Sequence, residues 1–182
     1  MNKEFTKILV VLIGIITGLL VITDCDTKIF GKPVWPCPYN ENRLKHLYIQ
    51  DISGKYTSQS LFDIYTFTHI SHGIVLFYVL YYLYGKKTNS IIYIALGLEI
   101  LWEIIENTPF IIEKYRKENK NSRDYSGDSI INSIGDILAM IIGFIVCWCY
   151  PKYGWILFIV NEILLYLYMK DNLIMNIIGI FR

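Results

Sequence analysis

Long apolar stretches separated by polar segments constrain this chain more than any other feature of its sequence. A helix needs about 20 apolar residues to cross the hydrocarbon core of a bilayer. Inside lipid, backbone polar groups are satisfied only in helices or closed barrels. The sequence therefore predicts an all-α fold, an integral membrane bundle of about five transmembrane helices that forms one domain over residues 1–182. The predicted helices cover residues 8–22, 64–84, 91–112, 129–149 and 155–169.

The first apolar stretch has two interpretations. Lys3 and Lys7 precede it, as basic residues precede the apolar part of a secretory signal peptide. However, Thr23 and Asp24 follow it, and these are not the small residues of a cleavage site. This pattern favours an uncleaved first helix.

The remaining segments are predicted loops or interfacial segments. Residues 24–62 and 113–127 are polar, and the apolar tail 173–181 is too short to cross a bilayer, so it is expected at the interface. With five crossings, the two loops and the tail share one side and hold twelve Lys and Arg, against five on the other side. The positive-inside rule places these loops in the cytoplasm. Acidic residues accompany the basic ones, however, and function can hold them there, so the orientation stays open.

Composition bears on location and partners. Apolar residues make up 54% of the chain, and the 15 tyrosines and four tryptophans suit two membrane–water interfaces. A net charge of +1 gives no reason to expect a nucleic-acid partner. We therefore expect membrane lipid as the partner, with assembly into a membrane-protein complex or a homo-oligomer as an option. The expected location is a bacterial inner (plasma) membrane or an equivalent organelle membrane.

Two of the apolar stretches carry polar residues whose transfer into lipid is energetically unfavourable. Glu99, Glu103 and Glu106 are spaced by four and three residues, so they lie on one face of the third helix. His69 and His72 are three residues apart near the start of the second helix. A charged residue at a helix centre costs about 2.5–3.5 kcal/mol on insertion scales. Such groups are therefore expected to be protonated, paired or bound to a metal.

The direction of the helices predicts that these groups meet. Asp128, Asn132 and Asp136 step by four residues along the start of the fourth helix. Because successive helices run in opposite directions, the start of helices two and four and the end of helix three lie on one side. A bundle that buries its polar faces then collects these residues into a single cluster.

The residue types in this cluster suit a divalent metal. Histidine with carboxylates favours zinc, iron or manganese over calcium, and a metal-bound water can act as a nucleophile. The sequence therefore predicts a hydrolase or transferase that acts on lipid head groups. The candidate metal ligands are His69, His72, Glu103 and Asp136. The candidate catalytic residues are Glu103, Glu106, Asp128, Asn132 and Asp136. The candidate substrate-binding residues are Arg116, Lys170, Asp171 and Asn172.

Other interpretations of the same residues stay open. They can form a charge-balanced hydrogen-bond network in a non-catalytic membrane subunit, or a proton or ion relay in a transporter. No Ser-His-Asp order, nucleotide-binding motif or His-Glu-x-x-His motif is present. Cys25 and Cys37 can form a disulfide in an oxidising compartment or remain free thiols.

Five segments of the chain form a recognisable pattern. They are residues 58–65, 68–73 (Thr-His-Ile-Ser-His-Gly), 99–107 (Glu-Ile-Leu-Trp-Glu-Ile-Ile-Glu-Asn), 124–133 with Asp136, and 170–173 (Lys-Asp-Asn-Leu). In order and spacing these segments resemble a family of alphaproteobacterial inner-membrane proteins known as a domain of unknown function, and the agreement covers about residues 31–180. The chain departs from the family where Cys37 stands without a second cysteine, and where Ser60 and Lys170 replace a usual histidine and arginine. The missing cysteine and histidine argue against a metal role for the first loop.

More distantly, the pattern is similar to VanZ-like membrane proteins. The shared features are a histidine early in one helix, an acidic residue late in the next, and an Asp-x-x-x-Asn sequence ahead of a glycine. This resemblance implies a membrane protein with a polar site, and it implies no particular reaction.

Overall fold

The structure, a computed structural model, describes residues 3–23, 27–35 and 47–181. This part of the chain is mostly helical, as predicted. It also contains a two-stranded antiparallel hairpin, β1 (Lys28–Ile29) and β2 (Lys32–Pro33), and a 3-10 helix, Lys120–Ser122. The α-helices are α1 (Lys3–Ile22), α2 (Thr66–Tyr84), α3 (Asn89–Glu106), α4 (Pro109–Glu118), α5 (Ile130–Cys149), α6 (Gly154–Met169) and α7 (Leu173–Ile180). Cys25 and Cys37 lie outside the described residues, so the disulfide and the free thiols both stay predictions.

Two helices, α1 and α5, are long and apolar enough to cross a membrane, at 20 residues each. A third span is added if α6 and α7, which meet at a 76° bend, count together as one broken span. Helices α2 and α3 have 19 and 18 residues, but histidines interrupt the first and three glutamates the second. Among the described residues, length and composition thus support two or three spans, and the predicted five-span bundle is not confirmed.

The predicted helix over residues 91–112 is two helices in the structure. Helix α3 ends at Glu106, and α4 begins at Pro109 after Thr108 adopts an extended conformation. Proline excludes the residue before it from helical geometry and is well tolerated at a helix start. The segment 113–127, predicted as a loop, therefore holds the rest of α4 and the 3-10 helix. The predicted loop 24–62 likewise contains the hairpin.

Helices α2 and α5 cross at close range and form the centre of the fold. A Cβ atom added to Gly73 would lie 1.9 Å from the Met140 carbonyl oxygen, and one added to Gly143 would lie 2.2 Å from that of Ile70. Only glycine allows the two backbones to approach this closely, as small residues do where membrane helices pack. Apolar residues of both helices, including Phe77 and Phe144, fill the core beside the crossing.

The helices alternate in direction, so that polar groups collect at one end of the bundle. At the opposite end, the Lys87 ammonium donates to the Trp148 carbonyl at 2.5 Å, and the Tyr78 hydroxyl donates to the Pro151 carbonyl at 2.5 Å. The end of α2 therefore lies beside the end of α5. Their starts, with the end of α3, lie together at the other end, where the candidate site residues are found.

Candidate functional site

Two histidines of α2 share one carboxylate of α3. Nδ1 of His69 lies 2.7 Å from Glu99 Oε1, and Nδ1 of His72 lies 3.1 and 3.2 Å from the two Glu99 oxygens. Glu99 is 1% exposed, so this carboxylate is removed from water and satisfied by imidazole nitrogens. The face spacing of α2 and α3 thus produces a buried His–Glu–His group.

The next carboxylate along α3 is buried without hydrogen bonds. Neither oxygen of Glu103 has a hydrogen-bond partner among the described residues, and its Oε1 lies 3.4 Å from His69 Nδ1. On α5, Asp136 Oδ2 lies 3.9 Å from His69 Nε2, while Asp136 Oδ1 also has no partner. Burying an ionised carboxylate alone is costly. These side chains therefore require a proton or a cation.

The geometry of this cluster can hold a metal ion in two ways. One potential ligand atom from each of His69, His72 and Glu99 lies within 4.8 Å of the others. The same is true of His69, Glu103 and Glu106. In the first group both histidine Nδ1 atoms already lie at hydrogen-bond distance from Glu99, whereas in the second neither oxygen of Glu103 has a hydrogen bond among the described residues. The second group therefore offers the freer set of ligand atoms, and its mixed nitrogen and oxygen donors suit zinc, iron or manganese.

A hydrogen-bonded rim connects the end of α3 to the start of α5. The Asn107 amide donates to the Glu103 carbonyl and to Asp128 Oδ2, both at 2.9 Å, and its oxygen accepts from the Asp128 backbone N–H at 2.7 Å. The Tyr125 hydroxyl donates to Asp128 Oδ2 at 2.8 Å. Lys32, from the hairpin, donates to the Asn107 oxygen. The carboxyl group of Asp128 is thereby fixed in place.

The charge state of this rim follows from its burial. Loss of water around Asp128 raises the pKa of its carboxyl group, and the bond from Tyr125 and the charge of Lys32 oppose that rise. Burial also lowers the pKa of the Lys32 ammonium, against the attraction of Asp128. The two groups therefore lie close together in a poorly hydrated environment, where each influences the protonation of the other.

The segment before α2 closes over the start of α5. The Ser129 N–H donates to the Ser58 carbonyl at 2.9 Å, and the Asn132 amide donates to the Ser60 carbonyl at 2.8 Å. Asp63 accepts bonds from the backbone N–H groups of Ser58, Tyr65 and Thr66 at 2.6, 2.8 and 3.1 Å. Asn132, predicted to orient catalytic groups, instead holds this segment against α5 while still lining the cavity described next.

A cavity of about 430 Å³ opens between this segment, residues 121–128 and the helix ends. His69 and the predicted residues Glu106, Asp128, Asn132 and Asp136 all line it. Glu103 lies behind them, and His72 lines a smaller adjoining pocket with Trp102 and α7. The structure therefore brings the predicted metal and catalytic residues into one layer beside a space large enough for a polar group.

Three of the four predicted substrate-binding residues, Arg116, Lys170 and Asn172, do not line the cavity in the structure. Asp171 does line it. Asn172 caps α7 by accepting from the Met175 N–H at 2.9 Å. The Arg116 Nε donates to the Tyr125 carbonyl at 2.5 Å, and the exposed Lys170 ammonium lies 5.4 Å from the centre of the Tyr166 ring. Arg116 and Lys170 are therefore directed to other contacts, and a phosphate-binding role in this cavity does not fit their positions.

Comparison with known proteins identifies the family. Residues 31–182 match the family described as "Protein of unknown function (DUF2585)". The chain belongs to this family. It is similar to UPF0314 proteins of Rhizobium meliloti (41% identity, 88% of this chain and 80% of that protein) and Sphingopyxis alaskensis (35%, 78% and 74%). A UPF0314 protein of Brucella anthropi is 41% identical over 66% of this chain and 62% of its own length. The expected alphaproteobacterial family is confirmed. No solved structure matches the chain.

Several residues of the site were not predicted, and all lie within the part that matches the family. Glu99 was predicted to join the cluster with the other two glutamates, but it was not among the candidate ligands or catalytic residues. Asn107 follows the last of these glutamates directly. Lys32, Tyr115 and Tyr125 belong to segments predicted as loops, and no local signal places their side chains at the cluster. Tyr115 bonds Glu106, and burial raises the pKa of its hydroxyl.

Proposed function

We propose that this protein is a multi-pass membrane enzyme that binds a divalent metal and hydrolyses or transfers a lipid head group. One observation carries the proposal. Glu103 is buried with no hydrogen bond to either oxygen among the described residues, next to His69 and Glu106, and the ligand atoms of the three lie within 4.8 Å. A divalent cation would satisfy this buried carboxylate, which lies 3.4 Å from His69 Nδ1 and has other carboxylates around it.

The metal group borders the cavity, which supports a catalytic role over a purely structural one. His69 and Glu106 belong to the proposed metal group, and both residues also line the cavity. A metal ion bound there would lower the pKa of a coordinated water and polarise an ester oxygen of the substrate. Asp136 Oδ2 lies 3.9 Å from His69 Nε2, and we assign this oxygen to accept the proton of the attacking water. Asn107, bonded to both Glu103 and Asp128, would hold the two sides of the site together.

The membrane setting belongs to the same proposal. Helices α2 and α3 are long enough to span a bilayer, and their polar residues face the cluster instead of lipid, so five crossings remain the arrangement that we propose. The family relationship to alphaproteobacterial proteins supports an inner-membrane location, and the VanZ-like order of histidine, acid and Asp-x-x-x-Asn is consistent with it. Helices α4 and α7, packed together beside the site, would then lie near the head groups.

A second interpretation has one specific observation in its favour. The His69–Glu99–His72 group is complete in itself, because each imidazole contacts Glu99 at hydrogen-bond distance. Such a network can fix helix pairing in a non-catalytic subunit without a metal. The two functions differ in whether Glu103 binds a metal.

Metal content of the purified protein tests the proposal. Wild type, extracted in detergent and dialysed against metal-free buffer, should retain stoichiometric zinc, iron or manganese by mass spectrometry of the elements. Glu103→Gln and His69→Ala should lose it, because each removes a ligand atom. Glu162→Gln is the matched control: Glu162 is 5% exposed, but it bonds Ser71 outside the cluster.

The result that would overturn the proposal is equal metal content in wild type and Glu103→Gln when both unfold at similar temperatures. Wild type free of metal, even after incubation with each ion, would favour the structural subunit. Where metal is retained, the reaction is sought by incubating reconstituted protein with membrane lipid extract and measuring released head groups by mass spectrometry. Products should form with wild type and Glu162→Gln, and not with Glu103→Gln.

A further inference from the structure

The lining of the cavity has a strongly one-sided charge. Among the described residues, the cationic side chains that line it are Lys55, which is exposed at its edge, and His69 when protonated. Five carboxylate side chains line the same space: Glu106, Asp124, Asp128, Asp136 and Asp171. Only Glu106 of these belongs to the proposed metal group, and Lys32 lies close to Asp128, so a bound ion and Lys32 together still leave the lining with more carboxylates than cations.

Two of these carboxylates have a buried oxygen without a hydrogen bond among the described residues: Glu106, which belongs to the proposed metal group, and Asp136. Asp136 is 4% exposed, it lines the cavity, and its Oδ1 has no hydrogen bond among the described residues. By contrast, Asp128 accepts from Tyr125 and Asn107, and Asp171 accepts from Asn119 and from the Asn172 N–H. Outside the proposed metal group, Asp136 is therefore a buried acid of the lining that still has an oxygen without a hydrogen bond among the described residues.

Aromatic rings complete the lining. Tyr65, Tyr115 and Tyr125 all border the cavity, and the rings of Tyr115 and Tyr125 lie 5.9 Å apart between centres. The face of a tyrosine ring attracts an organic cation, whereas carboxylates repel a phosphate or sulfate. Because Arg116 and Lys170 do not line the cavity, the cationic side chains of its described lining are Lys55 and His69, and the five carboxylates outnumber them.

We propose that the cavity binds a cationic, hydroxyl-bearing group with a primary amine, such as an amino-sugar head group, and that the Asp136 carboxylate accepts the ammonium. This inference deepens the proposed function by naming its substrate class, and it rests on that function for the reaction. Thr68, Gln59 and Asn132 line the same space and suit hydroxyl groups. An anionic head group is the class that this lining excludes.

Binding of three compounds with one skeleton tests the inference: glucosamine, glucose and glucose 6-phosphate. Isothermal titration of the full-length protein in detergent should give glucosamine at least about tenfold tighter binding than glucose, as one desolvated charge pair supplies. Glucose 6-phosphate should not bind. Equal affinity for the three, preference for the phosphate, or no binding of glucosamine would overturn the inference.

Variants connect the preference to the cavity. Asp136→Asn should remove most of the preference for glucosamine, and Glu162→Gln should keep it. Lys55→Glu replaces an exposed side chain, so it leaves the fold intact, and it should strengthen glucosamine binding roughly twofold to fivefold, the scale of one exposed charge interaction. An unchanged preference in both Asp136→Asn and Lys55→Glu would contradict the assignment.

The same samples separate this inference from the proposed function. Each titration is repeated on protein treated with a chelator, and the metal content of both samples is measured. Selective glucosamine binding in a chain that never retains metal would support the amine site and overturn the metal enzyme. Metal retention that depends on Glu103, combined with equal binding of the three sugars, would support the metal enzyme and overturn the amine site.

Discussion

At the residue scale, Asp63, which precedes α2 and accepts from the Thr66 N–H, makes the free energy of unfolding depend on pH. Asp63 is 1% exposed, and burial raises the pKa of its carboxyl group to about 6 from an ordinary value of 3.8, against the backbone bond from Ser58. As the pH rises from about 4 to about 6, the unfolded chain loses this proton before the folded one does. The rise therefore favours unfolding, by at most about 3 kcal/mol from this group.

The prediction is tested by comparing wild type with Asp63→Asn between pH 4 and pH 7. The wild-type unfolding temperature in detergent should fall relative to that of the variant across this interval. Asp51→Asn, which changes an exposed acid of the same segment, should keep the wild-type profile. Parallel curves for wild type and Asp63→Asn would show that Asp63 ionises equally in the folded and unfolded chains.

The site shows which residue positions the sequence determines. Helical spacing alone puts Glu99, Glu103 and Glu106 on one face, and the alternation of helices brings them to His69, so this part follows from the sequence. Asn107 could also have been inferred, because it continues the glutamate face into the break before Pro109. The directions of Arg116 and Lys170 could not, since each lies at or near a helix end where no periodicity fixes the side chain.

At the element scale, the crossing of α2 and α5 depends on two glycines. Any side chain at Gly73 would meet the backbone of α5 and force the helices apart. We expect Gly73→Ala to lower the free energy of unfolding by about 1–3 kcal/mol, the typical cost of overpacking. It should also reduce metal retention, because a shift of α2 moves His69 relative to Glu103 and Glu106 on α3. Thermal unfolding and metal content are the measurements.

Gly97 of α3 provides a matched control, since nothing lies within 4 Å of a Cβ atom added there. Gly97→Ala should leave stability unchanged or raise it by up to about 1 kcal/mol, because alanine favours helix over glycine. If Gly73→Ala proves as stable as Gly97→Ala, the close crossing is not needed for folding. The sequence predicted both helices, but it did not indicate which faces of them meet.

The break between α3 and α4 shows how apolar composition can mislead. Residues 91–112 are mostly apolar, so the sequence predicted one helix. In the structure, Pro109 begins a second helix. Proline restricts the residue before it, so the signal for the break was present in the sequence. The bend between α6 and α7 carried the corresponding signal in Asn172, whose side chain caps α7.

At the scale of the whole molecule, the proposed five crossings place the two ends of α2 on opposite sides of the membrane. A cysteine at position 55 and one at position 86 should therefore react with a membrane-impermeant thiol reagent from opposite faces. The measurement uses Lys55→Cys and Lys86→Cys in a background without the four native cysteines, in intact cells and in inverted vesicles. Labelling of both positions from the same face would exclude a spanning α2.

The close approach of α2 and α5 also limits how the protein can change its ligand preference. At the crossing the two backbones are in contact, so no side chain there can be shortened to enlarge the cavity beside His69 and Asp136. New specificity must instead come from the covering segments, around residues 52–59 and 121–127, whose side chains border the cavity and are not fixed by that crossing. Selection for altered substrates in the laboratory should accordingly concentrate its hits in these two stretches.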